Sequence, residues 1–210
     1  MIRIIVDLTV LLSVLLAMLY GKNFTKKGKA FLFFSLYLLA VSIIQCLSYY
    51  VVRIKSEPNL FLFHYYFISQ FLFLSLFYYY LIRRKWIIIT IVFVLGILGY
   101  QYIDNPSLYY QYNAIGLAIT QIVLVLYTII HLYNSLSQNS DFVIVSSGLL
   151  MYLLSSIIIF ASGNLVFDLN ISEEVSRLLN DLNAVLYLVF QVLVLIEWWR
   201  NYRPKKVIGN

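Results

Sequence analysis

Residues 178–199 read LLNDLNAVLYLVFQVLVLIEWW and are followed at 200–206 by RNYRPKK. A helix over this stretch rises ~1.5 Å per residue, which is enough to cross the ~30 Å hydrocarbon core of a bilayer. Trp198 and Trp199 at its end are typical of a membrane interface, and the basic residues after them are typical of a cytoplasmic flank. We therefore predict that this last apolar segment spans a membrane and ends in a basic tail.

The same segment carries a polar stripe. Asn180, Asn183, Tyr187 and Gln191 recur three or four residues apart, so they share one face of a helix. Lipid offers no hydrogen-bond partners, and a polar face on a membrane helix therefore turns towards protein or water. We expect this face to point into a bundle of helices.

The whole chain has the composition of a membrane protein. Of its 210 residues, 62% are hydrophobic and only 11% are charged, and the mean hydropathy is +0.87. A soluble domain carries about 25% charged residues, so an ordinary soluble fold is excluded. The net charge of +6 does not indicate a nucleic-acid partner, because the basic residues form short runs between apolar segments. The one cysteine, Cys46, excludes an intrachain disulfide.

Apolar runs and turn residues divide the chain into seven predicted helices. We predict an all-α membrane protein, a seven-transmembrane-helix bundle over residues 1–199 with a basic cytoplasmic tail at 200–210. The longest connection is the acidic segment 165–177, and no loop is long enough to fold alone. The predicted helices cover residues 2–19, 30–52, 59–82, 86–103, 109–132, 142–163 and 178–199.

Orientation follows from the basic residues in the loops, which concentrate on the cytoplasmic side of membrane proteins. One side of the predicted bundle collects eleven of them and the other side four. We therefore expect the N-terminus outside and the C-terminus in the cytoplasm. The larger set is Lys22, Lys26, Lys27, Lys29, Arg83, Arg84, Lys85, Arg200, Arg203, Lys205 and Lys206, and the smaller set is Arg3, Arg53, Lys55 and Arg177.

Polar residues inside a membrane are costly, which makes each a candidate for function. Several of them fall in the outer half of the first, second, third and seventh helices, where they predict a polar cavity open to the outside. Asp7 and Asp181 would favour a cationic or hydrogen-bonding ligand. Packing between helices is the competing interpretation, because it uses the same residue types. The candidate ligand-binding residues are Asp7, Gln45, Tyr49, His64, Tyr66, Gln70, Asn180, Asp181, Asn183, Tyr187 and Gln191.

The sequence predicts no catalytic residue, metal site or cofactor. The two histidines, His64 and His131, fall near opposite faces of the membrane, and motifs such as HExxH and GxSxG are absent. A membrane enzyme is therefore a weaker hypothesis than a sensor or subunit of an assembly, or than a transporter or channel. Glu197 is expected to reach the inner interface or to pair with an arginine of the 83–84 turn.

Seven helices with an outer N-terminus resemble the architecture of microbial rhodopsins and of the seven-helix sensor inputs of bacterial signalling proteins. The last helix has no lysine, so the retinal attachment site has no counterpart. The three prolines lie outside the helices, whereas transporters commonly break helices at Gly or Pro near the binding site. We therefore expect a sensor or the membrane subunit of a larger assembly, with a transporter or channel for a small solute as the alternative.

A tail without a domain of its own must act through a protein partner or anionic lipid. Short loops suggest a bacterial inner membrane, while the sequon at Asn170 keeps a eukaryotic membrane open. The residues expected to contact lipid or a partner are Trp198, Trp199, Arg200, Arg203, Lys205 and Lys206.

Overall fold

A computed structural model describes residues 2–22, 27–56, 59–138, 140–168 and 173–203, without the side chains of residues 2, 3, 160–168, 173–177, 179 and 180. Over these residues the chain is helical and has no strand. Lys26, Glu57, Asn170, Lys205 and Lys206 lie outside the description. The helices are α1 Ile2–Gly21, α2 Lys29–Tyr50, α3 Leu60–Ile82, α4 Trp86–Asp104, α5 Ala114–Ser135, α6 Val143–Asp168 and α7 Glu173–Glu197.

Six of the described helices are long and apolar enough to cross a membrane. They are α1 to α5 together with α7, whose apolar part is Asp181–Tyr202. The described apolar part of α6, Val143–Ile159, is shorter. Side chains such as Ile89, Val92 and Phe93 on α4 are exposed, as a lipid-facing surface requires. The prediction of an integral, multi-pass membrane protein is confirmed.

Six helices form a closed ring. Each helix contacts the next one in the order α1, α2, α3, α5, α6 and α7, and α7 in turn contacts α1. Helix α4 stands outside this ring and packs against α3 and α5. The short connection through Lys85 between α3 and α4 and the turn before α5 allow this placement without disturbing the ring.

Aromatic side chains fill the middle of the ring. Phe34, Phe71 and Phe77 are fully buried, and the rings of Phe34 and Phe77 lie 5.2 Å apart. Tyr20 on α1 donates a hydrogen bond to the carbonyl of Val194 on α7 at 3.1 Å, which closes the ring between the first and last helices. Tyrosine suits such positions because its ring packs while its hydroxyl finds a partner.

Two predicted boundaries are wrong. The fifth helix begins at Ala114 rather than at 109, because Asn113 caps it by accepting a hydrogen bond from the Gly116 N–H at 2.8 Å. Much of the expected acidic loop at 165–177 is helical, since α6 continues to Asp168 and α7 begins at Glu173. The early start of α7 agrees with its sequence, because Glu173 and Glu174 are acidic and negative charge is favourable in the first turn of a helix.

Candidate functional site

A cavity of about 420 Å³, referred to below as the main cavity, opens at the end of the ring that carries the C-terminus of α2 and the N-terminus of α3. Every helix of the ring contributes to it, whereas α4 does not. None of the side chains lining it is charged. The lining residues are Thr9, Ile44, Gln45, Ser48, Asn59, Leu60, Leu62, Phe63, Tyr66, Tyr112, Leu117, Gln121, Tyr152, Asn183, Ala184 and Tyr187.

Two amide side chains in this cavity have unused hydrogen-bonding capacity. Gln121 on α5 is 1% exposed, and its Nε2 donates to the Ser156 hydroxyl at 3.1 Å. Its Oε1 has no partner among the described residues, and neither has Oδ1 of Asn183 on α7. A buried acceptor without a partner costs about 1–3 kcal/mol. The cavity is therefore suited to a molecule that donates hydrogen bonds.

Tyrosine hydroxyls form a second polar group in the cavity. The hydroxyls of Tyr66 on α3 and Tyr152 on α6 lie 3.1 Å apart. Gln70, one turn deeper on α3, donates from Nε2 to the Tyr66 hydroxyl at 3.4 Å. Tyr152 also packs against the ring of Tyr187 at 5.3 Å. These contacts join α3, α6 and α7 at the wall of the cavity.

The connection between α2 and α3 forms part of the cavity rim. Asn59 Nδ2 donates a hydrogen bond to the Ser48 hydroxyl, so the start of α3 is tied to the end of α2. Tyr112, just before α5, lines the same side. Burial raises the pKa of the Tyr112 phenol, and the nearby Tyr152 raises it further. The Tyr112 hydroxyl therefore stays protonated at neutral pH.

A smaller cavity of about 280 Å³ adjoins the first and shares Thr9, Gln45, Ser48 and Asn59 with it. Tyr49 lines only this smaller cavity. Asp7 does not line it, but its carboxylate lies 3.8 Å from the guanidinium of Arg53, which does. Both side chains are partly exposed, and such pairs contribute ~0–1 kcal/mol. Asp7 therefore does not line either cavity and interacts with Arg53 instead.

Of the eleven predicted ligand-binding residues, Gln45, Tyr66, Asn183 and Tyr187 line the main cavity. Gln70 and Gln191 are buried deeper, where Gln191 donates to the carbonyl of Thr9 at 3.0 Å and joins α7 to α1. Asp181 does not line it. The side chain of Asn180 lies outside the described residues. Asp7 and Asp181, on which the expectation of a cationic or hydrogen-bonding ligand rested, are not among the residues that line this cavity.

His64 belongs to a different environment. It is 2% exposed, and its Nδ1 lies 2.6 Å from the hydroxyl of Tyr102 on α4. The Tyr109 ring stacks on its imidazole at 5.8 Å. His64 thus faces α4, on the opposite side of α3 from Tyr66, and helps to hold α4 against the ring.

Several lining residues were not identified from the sequence. Gln121 carried a usable signal, because an amide within an apolar helix is costly unless it has a role. Asn59 and Tyr112 precede helices and become lining residues only through the fold. The lining residues not among the predicted set are Thr9, Ile44, Ser48, Asn59, Leu60, Leu62, Phe63, Tyr112, Leu117, Gln121, Tyr152 and Ala184.

The end of α7 shows two kinds of environment. Trp198 is half-buried and donates from Nε1 to the carbonyl of Leu19 at 3.2 Å. Trp199 is 58% exposed, and the guanidinium of Arg203 lies 4.8 Å from its ring centre. Arg200 is exposed as well. Trp199, Arg200 and Arg203 are therefore exposed, whereas Trp198 anchors α7 to α1.

Chemically, the main cavity can bind a small neutral molecule. Its walls combine aliphatic and aromatic side chains with a few convergent polar groups, as is usual for ligand sites. The described residues contain no group of three metal-ligating side chains. Comparison with known proteins gives no significant match to a family model, to a curated protein or to a solved structure.

Proposed function

We propose that this protein is a membrane receptor for a small neutral molecule, bound in the main cavity, and that it acts as a sensor or as the membrane subunit of a larger assembly. The carrying observation is the pair of unpartnered acceptors, Gln121 Oε1 and Asn183 Oδ1, on two residues that line a cavity shared by every helix of the ring. A ligand with an apolar body and hydrogen-bond donors would satisfy both.

The proposed topology is seven crossings, with the N-terminus outside, the C-terminus in the cytoplasm and the cavity open to the outside. It is supported by the concentration of basic residues at the other end of the ring, near Lys29, Arg83 and Arg84. A bacterial inner membrane is the proposed location, because the connections between helices are short.

Helix α7 is the proposed route for a signal. Asn183, Ala184 and Tyr187 line the cavity, and the same helix runs without interruption to Glu197. The exposed residues Trp199, Arg200 and Arg203 then follow directly. A ligand that changes the packing of Asn183 can therefore move the surface that meets a partner or anionic lipid.

The test compares two substitutions on adjacent positions of α7. Ala184→Phe places a ring in the cavity, and Val185→Phe places the same ring on an exposed position that does not line it. Each protein is purified from its native membrane in mild detergent, and the retained small molecules are identified by mass spectrometry. We expect the wild type and Val185→Phe to retain a compound in stoichiometric amount that Ala184→Phe lacks.

Identical small-molecule content in all three preparations would refute binding in this cavity. The same preparations show whether a protein partner travels with the chain. A partner at fixed stoichiometry supports the sensor or subunit assignment, and its release by substitution of Arg200 and Arg203 would locate the contact.

A transporter or channel is the second candidate, and one observation favours it. A larger cavity of about 860 Å³ occurs at the opposite end of the ring, so solvent reaches both ends. Against it, Phe71 and Leu74 are fully buried between the two cavities. A transporter predicts flux of the retained compound in vesicles that contain this protein alone, and a sensor predicts none.

A further inference from the structure

The second cavity lies at the basic end of the ring. It has a volume of about 860 Å³ and is bounded by the N-terminus of α2, the end of α3, the end of α5 and the approach to α6. Along α2, Phe31 in this cavity and Gln45 in the first one are about 20 Å apart at 1.5 Å per residue. The two cavities are therefore separate sites.

Positive charge dominates this cavity. Lys27, Lys29, Arg83 and Arg84 line it, against the single acidic residue Asp141. Arg83 and Arg84 are exposed, and their side chains have no hydrogen bond or ion pair within the described part of the chain. Each of these guanidinium groups presents a planar fork of N–H donors, which is suited to binding phosphate.

The two lysines contribute in different ways. Lys27 Nζ donates to the carbonyl of Tyr202 at 2.6 Å and lies 4.9 Å from the centre of the Tyr202 ring. Lys27 thus attaches the end of the α7 extension to this cavity. Lys29 Nζ lies 5.4 Å from the Tyr80 ring, which leaves its protons available to a ligand.

The N-terminus of α2 points into the same cavity. Gly28, Lys29, Ala30 and Phe31 line it, and no described side chain caps this helix end. The first amide groups of a helix have no carbonyl partners within the helix, and the helix dipole adds positive potential there. Gly28 turns into the helix with φ 93°, a conformation that favours glycine. Helix N-termini of this kind bind anions.

His131 supplies an independent observation. It is 3% exposed and lines the cavity, and its Nε2 has no hydrogen-bond partner among the described residues. The Tyr78 hydroxyl donates to Ser146 Oγ at 3.3 Å, and Ser146 Oγ lies 2.9 Å from His131 Nδ1. Donation from Ser146 to Nδ1 is compatible with a proton on Nε2 of the neutral imidazole. In that tautomer the Nε2–H is a buried donor that an acceptor in the cavity would satisfy.

We propose that this cavity binds a phosphate group, held by Arg83, Arg84, the N-terminus of α2 and the Nε2–H of His131. The phosphate belongs to a lipid headgroup or to a soluble phosphate compound. This site is distinct from the main cavity and from the Trp199–Arg203 surface. Because Lys27 links it to the end of α7, binding here would fix the position of the cytoplasmic segment.

The test uses the full chain in nanodiscs of neutral phosphatidylcholine. One arm adds inorganic pyrophosphate to the solution at constant ionic strength, and the other incorporates phosphatidic acid into the disc. The readout in both is the thermal unfolding midpoint. The wild type is compared with Arg83→Gln/Arg84→Gln and with a matched control, Lys22→Gln/Lys85→Gln. The control removes the same charge from the same end of the protein, at exposed residues that do not line the cavity.

We expect the wild type and the control pair to be stabilised equally, and the Arg83/Arg84 pair to need at least roughly tenfold more ligand for the same shift. His131→Asn lacks the Nε2–H, and the ligand should raise its midpoint less than it raises that of the wild type, each measured from the protein's own ligand-free midpoint. Stabilisation confined to one arm identifies the source of the phosphate. The proposal is refuted if neither arm stabilises the wild type, or if both charge pairs lose binding equally.

Discussion

The carboxylate of Glu197, near the end of α7, accepts a hydrogen bond from the backbone N–H of Ile144 at the start of α6, with an N–O distance of 3.2 Å. Its other oxygen accepts from Asn201 Nδ2 at 2.6 Å. The sequence suggested that Glu197 reaches the interface or pairs with Arg83 or Arg84. It does neither, because its side chain is buried, with 1% exposed. A carboxylate from one helix thus caps the positive end of another.

Replacing Glu197 should therefore destabilise the α6–α7 pair. Glu197→Ala leaves the Ile144 N–H and the Asn201 amide without their acceptor. A hydrogen bond to a charged group contributes about 1.5–3 kcal/mol, and we expect a loss of that size in the free energy of unfolding measured by SDS titration. Asp104→Ala at the exposed end of α4 is the control and should change it by less than about 0.5 kcal/mol. Equal effects of the two changes would contradict the capping role.

The hydroxyl pair of Tyr66 and Tyr152 should stabilise the contact between α3 and α6. Tyr66→Phe removes the acceptor of the Gln70 amide, which is buried, and we expect a loss of about 1–3 kcal/mol. Tyr152→Phe combined with Tyr66→Phe should cost less than the sum of the single changes, because both remove one shared contact. Tyr100→Phe on the exposed face of α4 should have no effect. Strict additivity in this cycle would show that the hydroxyls do not interact.

Gly116 should not tolerate a side chain. A Cβ there would lie 2.7 Å from Asn113 Nδ2 and 2.9 Å from Leu98 Cδ2, so alanine would displace the cap of α5 and separate α5 from α4. Loss of a cap costs ~0.5–2 kcal/mol and overpacking ~1–3 kcal/mol. Gly96→Ala on α4 meets open space and should instead stabilise its helix by up to ~1 kcal/mol. Thermal midpoints of the two variants in detergent should shift in opposite directions.

The sequence predicts helices well here because each apolar run ends at charged or other polar residues, at glycine or at proline. Four of the residues that the sequence singled out, Gln45, Tyr66, Asn183 and Tyr187, line the main cavity, because polar faces of several helices meet in the interior. His64 could not be assigned in this way, because its direction depends on α4 lying outside the ring. The order of helices around a ring is set by tertiary packing, which hydrophobic periodicity does not encode.

The contribution of loops was also beyond the reach of sequence patterns. Asn59 and Tyr112 line the cavity although each precedes a helix. The basic cavity depends on the meeting of Gly28, Arg84 and His131, which are far apart in the chain. From the sequence alone, the basic residues indicated only which end of the protein faces the cytoplasm.

The topology itself gives a prediction that two exposed serines can test. Ser107 precedes α5 at the end of the ring with the main cavity, and Ser137 follows α5 at the basic end. Single cysteines are introduced at either position in a Cys46→Ser background, and intact cells are treated with a membrane-impermeant maleimide. We expect Ser107→Cys to be labelled in intact cells and Ser137→Cys to be labelled only after the membrane is opened, because the basic end should face the cytoplasm. The reverse pattern would place the basic cavity outside the cell, where neither its proposed cytoplasmic ligand nor an output through Arg200 and Arg203 could operate.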